Sequence, residues 1–257
     1  MEKVEIVIDG IKEKVKKGAK ILEVAENLGI DIPTLCYHPS VEPYGACRLC
    51  IVEIERNGRK RYVTSCNYPI DDEIKIETNN ENLIKIRKLI LELLISKVGY
   101  KGKVKEYAEK YEVQPRFGEG KEDCILCGLC VNVCKEIIGV SAIGFSSRGI
   151  ERKVSSPFGK DAVDCIGCGA CSFVCPVNAI KIEDKNGIRE ITKINAKLKL
   201  EKCKLCGKFF IPTKLIEYIK KKIGGKSELD ILYICDECKG KNYLKNLIPY
   251  SIIGGKK

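Results

Sequence analysis

Apolar and polar side chains alternate at the start of the chain, and this alternation predicts a β-hairpin. Apolar residues take every second position from 4 to 8, Asp9-Gly10 supplies a turn, and the alternation returns between Ile11 and Val15. The apolar period then lengthens to that of a helix over residues 21–28, and Gly29 is suited to end that helix.

Three further short strands are predicted at residues 51–55, 61–64 and 74–77, with Asn57-Gly58 as the turn between the first two. A hairpin, a helix, a cysteine-containing loop and further strands follow one another in the order of a β-grasp fold. The sequence therefore predicts a β-grasp domain over residues 1–80, in a chain of the α+β class.

Residues 83–98 form the clearest amphipathic helix, because apolar positions recur three and four residues apart. The stretch from Gly99 to Gly102 interrupts it, a second short helix is predicted at 104–111, and residues 115–120 have the composition of a linker. Residues 81–117 are therefore predicted to be a helical linker. The longer helix is too short and too charged to span a bilayer, so no transmembrane segment is expected.

An internal repeat follows the linker: DCILCGLCVNVC begins at Asp123 and DCIGCGACSFVC begins at Asp164. Duplication of this kind predicts a unit with two-fold pseudosymmetry. We place this domain at residues 118–186, with Asn186-Gly187 as a hairpin turn at its end. A last segment, residues 198–250, contains the remaining cysteines.

The sixteen cysteines divide into four quartets with none left over. A four-coordinate zinc ion, a [2Fe–2S] cluster and a [4Fe–4S] cluster each need four protein ligands. No apolar stretch of signal-peptide length opens the chain, which predicts a cytoplasmic location, free or at the periphery of a membrane complex. In a reducing compartment metal ligation is favoured over disulfides, which are the alternative.

The formal charge of +11 counts every cysteine as neutral. Three oxidised clusters and one Zn²⁺, with their thiolates, would contribute about −8 and leave about +3. The excess of basic residues therefore balances the metal centres and is weak evidence for a nucleic-acid surface, which would need a basic patch or stripe.

The first quartet is spaced so that one long loop can enclose two irons. Gly45 precedes its middle pair, where the backbone must pass close to inorganic sulfide. The stretch PTLCYHPSVEPYGACRLCIVEIE resembles the [2Fe–2S] domain that opens the large (75 kDa type) iron–sulfur subunit of NADH dehydrogenase, diaphorase subunits of NAD-linked hydrogenases and many [FeFe] hydrogenases. A zinc site on this loop is the alternative. The predicted ligands are Cys36, Cys47, Cys50 and Cys66.

The second and third quartets each have the spacing C-x2-C-x2-C-x3-C of bacterial two-cluster ferredoxins, in which the fourth cysteine ligates the other cluster. Pro176 follows Cys175 as in that run, whereas Lys135 replaces the proline after Cys134. The stretch CGLCVNVCKEIIGVSAIGF again resembles the hydrogenase and dehydrogenase family. The predicted ligands are Cys124, Cys127, Cys130 and Cys175 for one [4Fe–4S] cluster, and Cys165, Cys168, Cys171 and Cys134 for the second.

The fourth quartet, Cys203, Cys206, Cys235 and Cys238, forms two C-x2-C knuckles far apart, the pattern of a zinc ribbon. Structural zinc is favoured, and another iron–sulfur cluster is the alternative because spacing alone does not fix the metal. CGKFFIPTKLIEYI and ICDECKGK resemble the C-terminal extension of ferredoxin-like subunits in formate hydrogenlyase-type complexes. Nucleic-acid binding by the ribbon is the runner-up, disfavoured because few aromatic residues interleave its lysines.

The family that the chain resembles usually carries one more [4Fe–4S] cluster, bound by one histidine and three cysteines between the first two quartets. Here no cysteine lies from 67 to 123, and the only histidine, His38, lies inside the first cysteine loop. We interpret His38 as a loop residue and expect this cluster to be absent. Either the flanking domains then lie closer together, or the [2Fe–2S] centre exchanges electrons with a separate partner.

These features predict an electron-transfer subunit with three iron–sulfur clusters and a zinc ribbon. No G-x-G-x-x-G turn, P-loop lysine or catalytic residue argues for an active site of its own. The resemblance implies a partner subunit, either catalytic (of hydrogenase or formate dehydrogenase type) or flavin-containing and NAD(P)H-oxidising. A free soluble polyferredoxin-type electron carrier is the alternative.

Overall fold

The computed structural model describes residues 2–224 and 229–240, and its chain divides into two compact units. The first unit comprises Met1–Gly139, Ser147–Val154 and Ala170–Ala179. The second comprises Val140–Ser146, Ser155–Gly169 and the described part of Ile180–Lys257. Both contain helices and sheets, which confirms the α+β class. The part of the predicted segment 198–250 that follows residue 240 lies outside the described residues.

The secondary structure combines short strands with one long helix and several short ones. The strands are β1 (Lys3–Ile8), β2 (Ile11–Lys16), β3 (Ala19–Lys20), β4 (Ile51–Arg56), β5 (Arg59–Thr64), β6 (Pro69–Ile70), β7 (Ile74–Glu77), β8 (Gly144–Ser146), β9 (Lys153–Ser155), β10 (Ile182–Lys185), β11 (Ile188–Ile191), β12 (Ala196–Lys202) and β13 (Phe209–Pro212). The α-helices are α1 (Ile21–Asn27), α2 (Glu81–Val98), α3 (Gly102–Lys110), α4 (Leu129–Asn132), α5 (Ala170–Phe173) and α6 (Thr213–Ile223), and residues 236–240 are also helical.

The first unit is built on a five-stranded sheet with the order β2-β1-β7-β4-β5. The β1–β7 pair is parallel, and the other pairs are antiparallel, with turns at Asp9-Gly10 and Asn57-Gly58. The inward side chains of β1, β4 and β7, among them Ile8 and Ile54, form one core with Leu22 and Ala25 of α1. This arrangement confirms the predicted hairpin, helix, strands and β-grasp fold.

Helix α2 begins two residues before its apolar pattern, because the Asn80 side chain accepts a hydrogen bond from the Leu83 N–H at 2.9 Å and caps the first turn. Its inner face, which includes Leu91 and Ile95, belongs to a second core that also contains buried cysteines. Gly99, with φ +69°, ends the helix. Over residues 2–224 and 229–240, no helix has both the length and the apolarity to cross a membrane.

The helix that carries Cys130 and Cys134 of the second cysteine quartet changes its winding. Helix α4 passes directly into a π-helical segment, Val133–Ile138, which ends at Gly139 in the left-handed conformation with φ +80°. π-Helical segments are rare and occur mostly at functional sites. The apolar pattern gave no sign of this segment.

The second unit is built on a four-stranded antiparallel sheet with the order β10-β11-β12-β13. Asn186-Gly187 forms the predicted turn between β10 and β11. Every second side chain of β12 is buried, including Leu198 and Leu200, and α6 contributes the buried Ile216. Strand β12 ends at Lys202, so Cys203 follows directly after the end of this strand.

Candidate iron–sulfur and metal sites

The sulfurs of the first quartet form two hydrogen-bonded pairs, and all four residues are buried. In one pair the Cys36 thiol donates to Cys47, and in the other the Cys66 thiol donates to Cys50. These hydrogen bonds are the main reason that the pKa of Cys47 falls to about 6 and the pKa of Cys50 to about 7. The pKa values of the donors, Cys36 and Cys66, are raised in turn. Two neighbouring pairs of sulfurs are a suitable donor set for two irons with two terminal thiolates each.

The backbone around these sulfurs leaves space where a cluster needs it. The Cys47 N–H donates to Cys36 Sγ at 3.4 Å. Gly45 has φ +68°, which favours glycine. A Cβ atom there would lie 2.7 Å from Nδ2 of Asn67, so a larger residue would force the Asn67 side chain to move. The Ser65 hydroxyl, between β5 and Cys66, is buried and has no hydrogen-bond partner among the described residues. The donor set, the glycine and the orphaned hydroxyl all fit a [2Fe–2S] cluster.

His38 is held within this same loop. Its Nδ1 accepts a hydrogen bond from the Ser40 N–H at 3.2 Å, and its carbonyl accepts one from the Val41 N–H at 3.2 Å. These bonds stabilise a turn of the loop, and they agree with the interpretation of His38 as a loop residue.

The charges of Cys124 and Cys175 both act on the thiols of Cys127 and Cys130. Burial, followed by the charges of Cys175 and Cys124, raises the pKa of Cys127 to about 12. Burial also raises the pKa of Cys130, and the charges of Cys127, Cys124, Cys171 and Cys175 act in the same direction. All of these cysteines belong to the first unit. Cys124, Cys127, Cys130 and Cys175 thus lie in one unit together with Cys171, and the division of these cysteines between two clusters stays a prediction.

Helix α3 fixes the position of Cys175 through the residue that follows it. The Lys103 N–H, at the start of α3, donates to the Pro176 carbonyl at 2.8 Å. Gly102 has φ +48°, and a Cβ atom there would lie only 2.2 Å from that carbonyl oxygen. The Ala179 N–H also donates to Cys175 Sγ at 3.2 Å. The linker helices thus contribute directly to the site, although they contain no ligand.

Residues 42–44 of the first cysteine loop contact the loop and helix of the second quartet. The Glu42 N–H donates to the Glu136 carboxylate at 2.9 Å, and Asn132 Nδ2 donates to the Glu42 carbonyl at 3.1 Å. A Cβ atom on Gly128 would lie 3.1 Å from the Tyr44 ring, whose hydroxyl accepts a hydrogen bond from Arg152 at 2.9 Å. These residues were missed from the sequence. The one available signal was the lysine that replaces the proline of the ferredoxin run.

The predicted ligands of the second [4Fe–4S] cluster divide between the units. Cys134 and Cys171 belong to the first unit, and Cys165 and Cys168 belong to the second. Within the second unit, the Gly167 N–H donates to Cys165 Sγ at 3.4 Å, and Arg189 donates to the Gly167 carbonyl at 2.8 Å. This ligand set stays a prediction.

The fourth quartet is the most closely spaced group of sulfurs. The Sγ atoms of Cys203, Cys206, Cys235 and Cys238 all lie within 4.8 Å of one another, and 3.7 Å separates those of Cys206 and Cys235. The Cys235 N–H donates to Cys203 Sγ at 3.3 Å, which is the main reason that the pKa of Cys203 falls to about 6. The pKa of Cys238 rises to about 12, chiefly because its thiol donates to Cys235.

Comparison with known families places cluster-binding domains over two of these groups. Residues 1–81 match the family described as 2Fe-2S iron-sulfur cluster binding domain, and residues 164–208 match the family described as 4Fe-4S dicluster domain. The first match contains the whole first quartet. The second contains the third quartet and the first knuckle of the fourth.

Curated relatives extend the similarity across both regions. The chain is 37% identical over 172 residues to NADPH-Fe(3+) oxidoreductase subunit alpha of Geobacter sulfurreducens, a match that covers 57% of this chain and 20% of the relative. It is 32% identical over 179 residues to the NADH-ubiquinone oxidoreductase 75 kDa subunit of Reclinomonas americana, covering 60% and 26%. The chain is related to the 75 kDa subunit of NADH dehydrogenase and contains a 2Fe-2S and a 4Fe-4S binding domain.

These matches cover different shares of this chain and of its relatives. The chain spans only about a fifth to a quarter of the length of the two curated relatives. A chain from the crystal structure of NAD+-reducing [NiFe]-hydrogenase in the H2-reduced state has the same fold, with a TM-score of 0.59 and 24% identity. That match covers 68% of this chain and 85% of the hydrogenase chain, so the shared fold takes in most of both.

Proposed function

We propose that the chain is an electron-transfer subunit that relays single electrons between a redox partner and a catalytic subunit of an oxidoreductase complex. The observation that carries the proposal is the shared core of the first unit, in which Cys36 and Cys47 of the first quartet lie with Cys127 of the second. Bound clusters would supply the one-electron chemistry. The protein would hold them in a dry environment and at a fixed separation, which sets the rate of electron tunnelling.

The proposed ligands are those predicted from the spacing. Cys36, Cys47, Cys50 and Cys66 would hold a [2Fe–2S] cluster, with one iron for each hydrogen-bonded sulfur pair. The group formed by Cys175 with the first three cysteines of the second quartet would hold one [4Fe–4S] cluster. The second [4Fe–4S] cluster would take Cys165, Cys168, Cys171 and Cys134.

We assign a zinc ion to the fourth quartet because of its sulfur spacing. A Zn–S bond of about 2.3 Å implies sulfurs about 3.8 Å apart around a tetrahedral ion. The 3.7 Å separation of Cys206 and Cys235, with all four sulfurs within 4.8 Å, agrees with this value. A cubane would hold its thiolates further apart, since each ligates a different corner. Zinc would lock β12 to the segment at residues 235–238 and so serve a structural role.

The absence of the family's histidine-ligated cluster is part of the proposal. The alignment with the Geobacter protein extends over 172 positions but takes up only 57% of this 257-residue chain, so the relative has residues in that stretch with no counterpart here. The contacts of Glu42 and Tyr44 with residues 128–136 already join the first two cluster loops. Electrons would therefore pass directly between the [2Fe–2S] and the first [4Fe–4S] sites.

The partner is proposed from the relatives, which are named as subunits of NADPH-Fe(3+) and NADH oxidoreductases. A catalytic subunit of hydrogenase or formate dehydrogenase type, or a flavin-containing NAD(P)H-oxidising subunit, would donate or accept the electrons. A free polyferredoxin is the competing function. Native mass spectrometry from the source cell separates the two, because a stable heteromeric complex supports the subunit and a lone monomer that reduces many acceptors supports the carrier.

Metal analysis of anaerobically purified protein tests the cluster assignments. About ten irons and one zinc per chain are expected from one [2Fe–2S], two [4Fe–4S] and one zinc site. Stepwise reduction followed by electron paramagnetic resonance (EPR) should resolve three iron–sulfur signals. Fourteen irons without zinc would make the fourth quartet a cluster site, and a fourth signal with mixed histidine and cysteine ligation would contradict the proposed absence.

A further inference from the structure

Ser65 is fixed between two cysteines of the first quartet by its backbone. Its N–H donates to the Cys50 carbonyl at 3.0 Å, and its carbonyl accepts a hydrogen bond from the Leu22 N–H at 3.0 Å. The next residue along the chain is Cys66. The residue is fully buried, with 0% of its surface exposed. Its side chain therefore stays beside the first quartet and does not reach solvent.

The hydroxyl of Ser65 has no hydrogen-bond partner within residues 2–224 and 229–240. Buried polar groups in proteins are nearly always hydrogen-bonded, so an orphan beside a predicted cofactor site calls for an acceptor that belongs to the site. The backbone hydrogen bond to the Cys50 carbonyl and the position directly before Cys66 place Ser65 next to both members of one sulfur pair.

We propose that Ser65 is a positioning residue that tunes the reduction potential, by donating its O–H hydrogen bond to a sulfur of the [2Fe–2S] site, either Cys50 Sγ or an inorganic sulfide. This inference rests on the proposed [2Fe–2S] ligation. One-electron reduction adds a negative charge that spreads over the sulfurs, and a donor aimed at them stabilises the reduced form. No proton is transferred and no bond to iron changes. Hydrogen bonds to the sulfurs are among the factors that set iron–sulfur potentials.

The neighbouring Thr64 provides a matched control. Its hydroxyl donates to the Asn67 side chain at 2.6 Å, an exposed contact that serves the loop and not the sulfurs. Thr64→Val removes a hydroxyl one residue away from Ser65 while keeping the shape of the side chain. Ser65→Ala removes the proposed donor, and Ser65→Thr keeps it.

The experiment is an anaerobic redox titration of the full chain, with the EPR signal of the reduced [2Fe–2S] centre as the readout. Ser65→Ala should lower the equilibrium constant for reduction about tenfold, which is about 59 mV more negative for a one-electron couple. Ser65→Thr should restore most of that change, and Thr64→Val should leave the potential near that of the wild type. A Ser65→Ala protein with a full cluster and an unchanged potential overturns the inference.

A second measurement keeps the test decisive if Ser65→Ala does not load its cluster. Electron–nuclear double resonance of the reduced wild type and Ser65→Thr proteins, in H₂O and D₂O, should detect an exchangeable hydroxyl proton coupled to the centre. The absence of such a proton, beyond those of the backbone amides, overturns the inference. If the wild type itself shows no [2Fe–2S] signal, the proposed ligation fails first, and the two failures are thereby distinguished.

Discussion

The carboxylate of Glu136 accepts a hydrogen bond from the backbone N–H of Glu42 at 2.9 Å, across 94 positions of sequence. Glu136 lies on the π-helical segment Val133–Ile138, two residues after Cys134. The ferredoxin run would have a proline at position 135. A proline there would remove an N–H and restrict the backbone. The lysine at 135 therefore does more than substitute for proline: it permits the segment that carries Glu136 to the first cysteine loop.

Replacing Glu136 by alanine should loosen the contact between the first two cluster loops. The lost bond is exposed, so we expect a stability change of about 1 kcal/mol at most. The spin–spin interaction between the two reduced centres should also weaken, because it falls steeply with the distance between them. We expect weaker magnetic broadening of the [2Fe–2S] EPR signal when the neighbouring [4Fe–4S] centre is reduced.

Glu136→Gln is the matched control, because its amide oxygen can still accept the Glu42 N–H. It should keep most of the magnetic coupling that Glu136→Ala loses. Equal coupling in the wild type and both variants would show that Glu136 does not hold the loops together.

Substitution of Gly128 tests the contact with Tyr44. Gly128 has φ +83°, and an added Cβ would lie 3.1 Å from the Tyr44 ring. Gly118 has φ +74° and nothing within 4 Å of an added Cβ, so Gly118→Ala reports the backbone strain alone. We expect Gly128→Ala to lower the thermal midpoint more than Gly118→Ala, by an amount equivalent to about 1 kcal/mol, because the ring must shift. Equal midpoints in the two variants would show that the ring moves without cost.

Periodicity and turn residues were sufficient to predict most of the first unit. The hairpin, α1, β4, β5 and β7 follow from local alternation, and α2 was missed only at its first two residues, where an asparagine cap and not an apolar side chain decides the start. Strands β3 and β6 have two residues each, and the paired residues lie about 50 positions apart in the sequence. No local pattern of apolar residues could therefore predict this pair. In the second unit β12 alternates strictly, a signal that was present in the sequence but not used.

The cysteine spacing specified which residues form the candidate sites but not what surrounds them. Thiolate counts and separations follow from ligand chemistry, which acts over a few neighbouring positions. Ser65 and Glu136 act through positions that only the folded chain brings together. A serine before a cysteine and a glutamate on a helix are both common, so neither could be singled out before the backbone placed it.

Arg87 stabilises the β-grasp sheet from helix α2. Its guanidinium donates to the carbonyls of Ile51 and Thr78, both at 2.8 Å, and only 2% of the residue is exposed. Arg87→Met should leave two buried carbonyls without a donor, at a cost of about 2–4 kcal/mol. Loss of a bound cluster would make unfolding irreversible, so the thermal midpoints should be compared at one scan rate.

Lys85→Met is the control for Arg87→Met on the same helix. The Lys85 side chain is 72% exposed and lies 3.8 Å from Glu81, a surface pair that contributes little. Its midpoint should stay close to that of the wild type. If both variants melt together, the two carbonyl contacts do not stabilise the sheet.

Removal of the proposed zinc should unfold one part of the chain and spare the other. Zinc binding contributes about 10–16 kcal/mol to the folding of zinc-finger peptides. Residues 229–240 contribute Cys235 and Cys238 to the sulfur group, so this segment should lose its structure when a chelator takes the ion. Hydrogen exchange of that segment should rise, and Cys238→Ser should have the same effect without chelator.

Asp236→Asn is the control for Cys238→Ser. Asp236 is exposed and pairs only with Lys239 among the described residues, so this variant should behave as the wild type. The [2Fe–2S] EPR signal should persist throughout, because the first quartet belongs to the first unit. Unchanged exchange after verified loss of the metal would mean that the knuckles are held together by the protein alone.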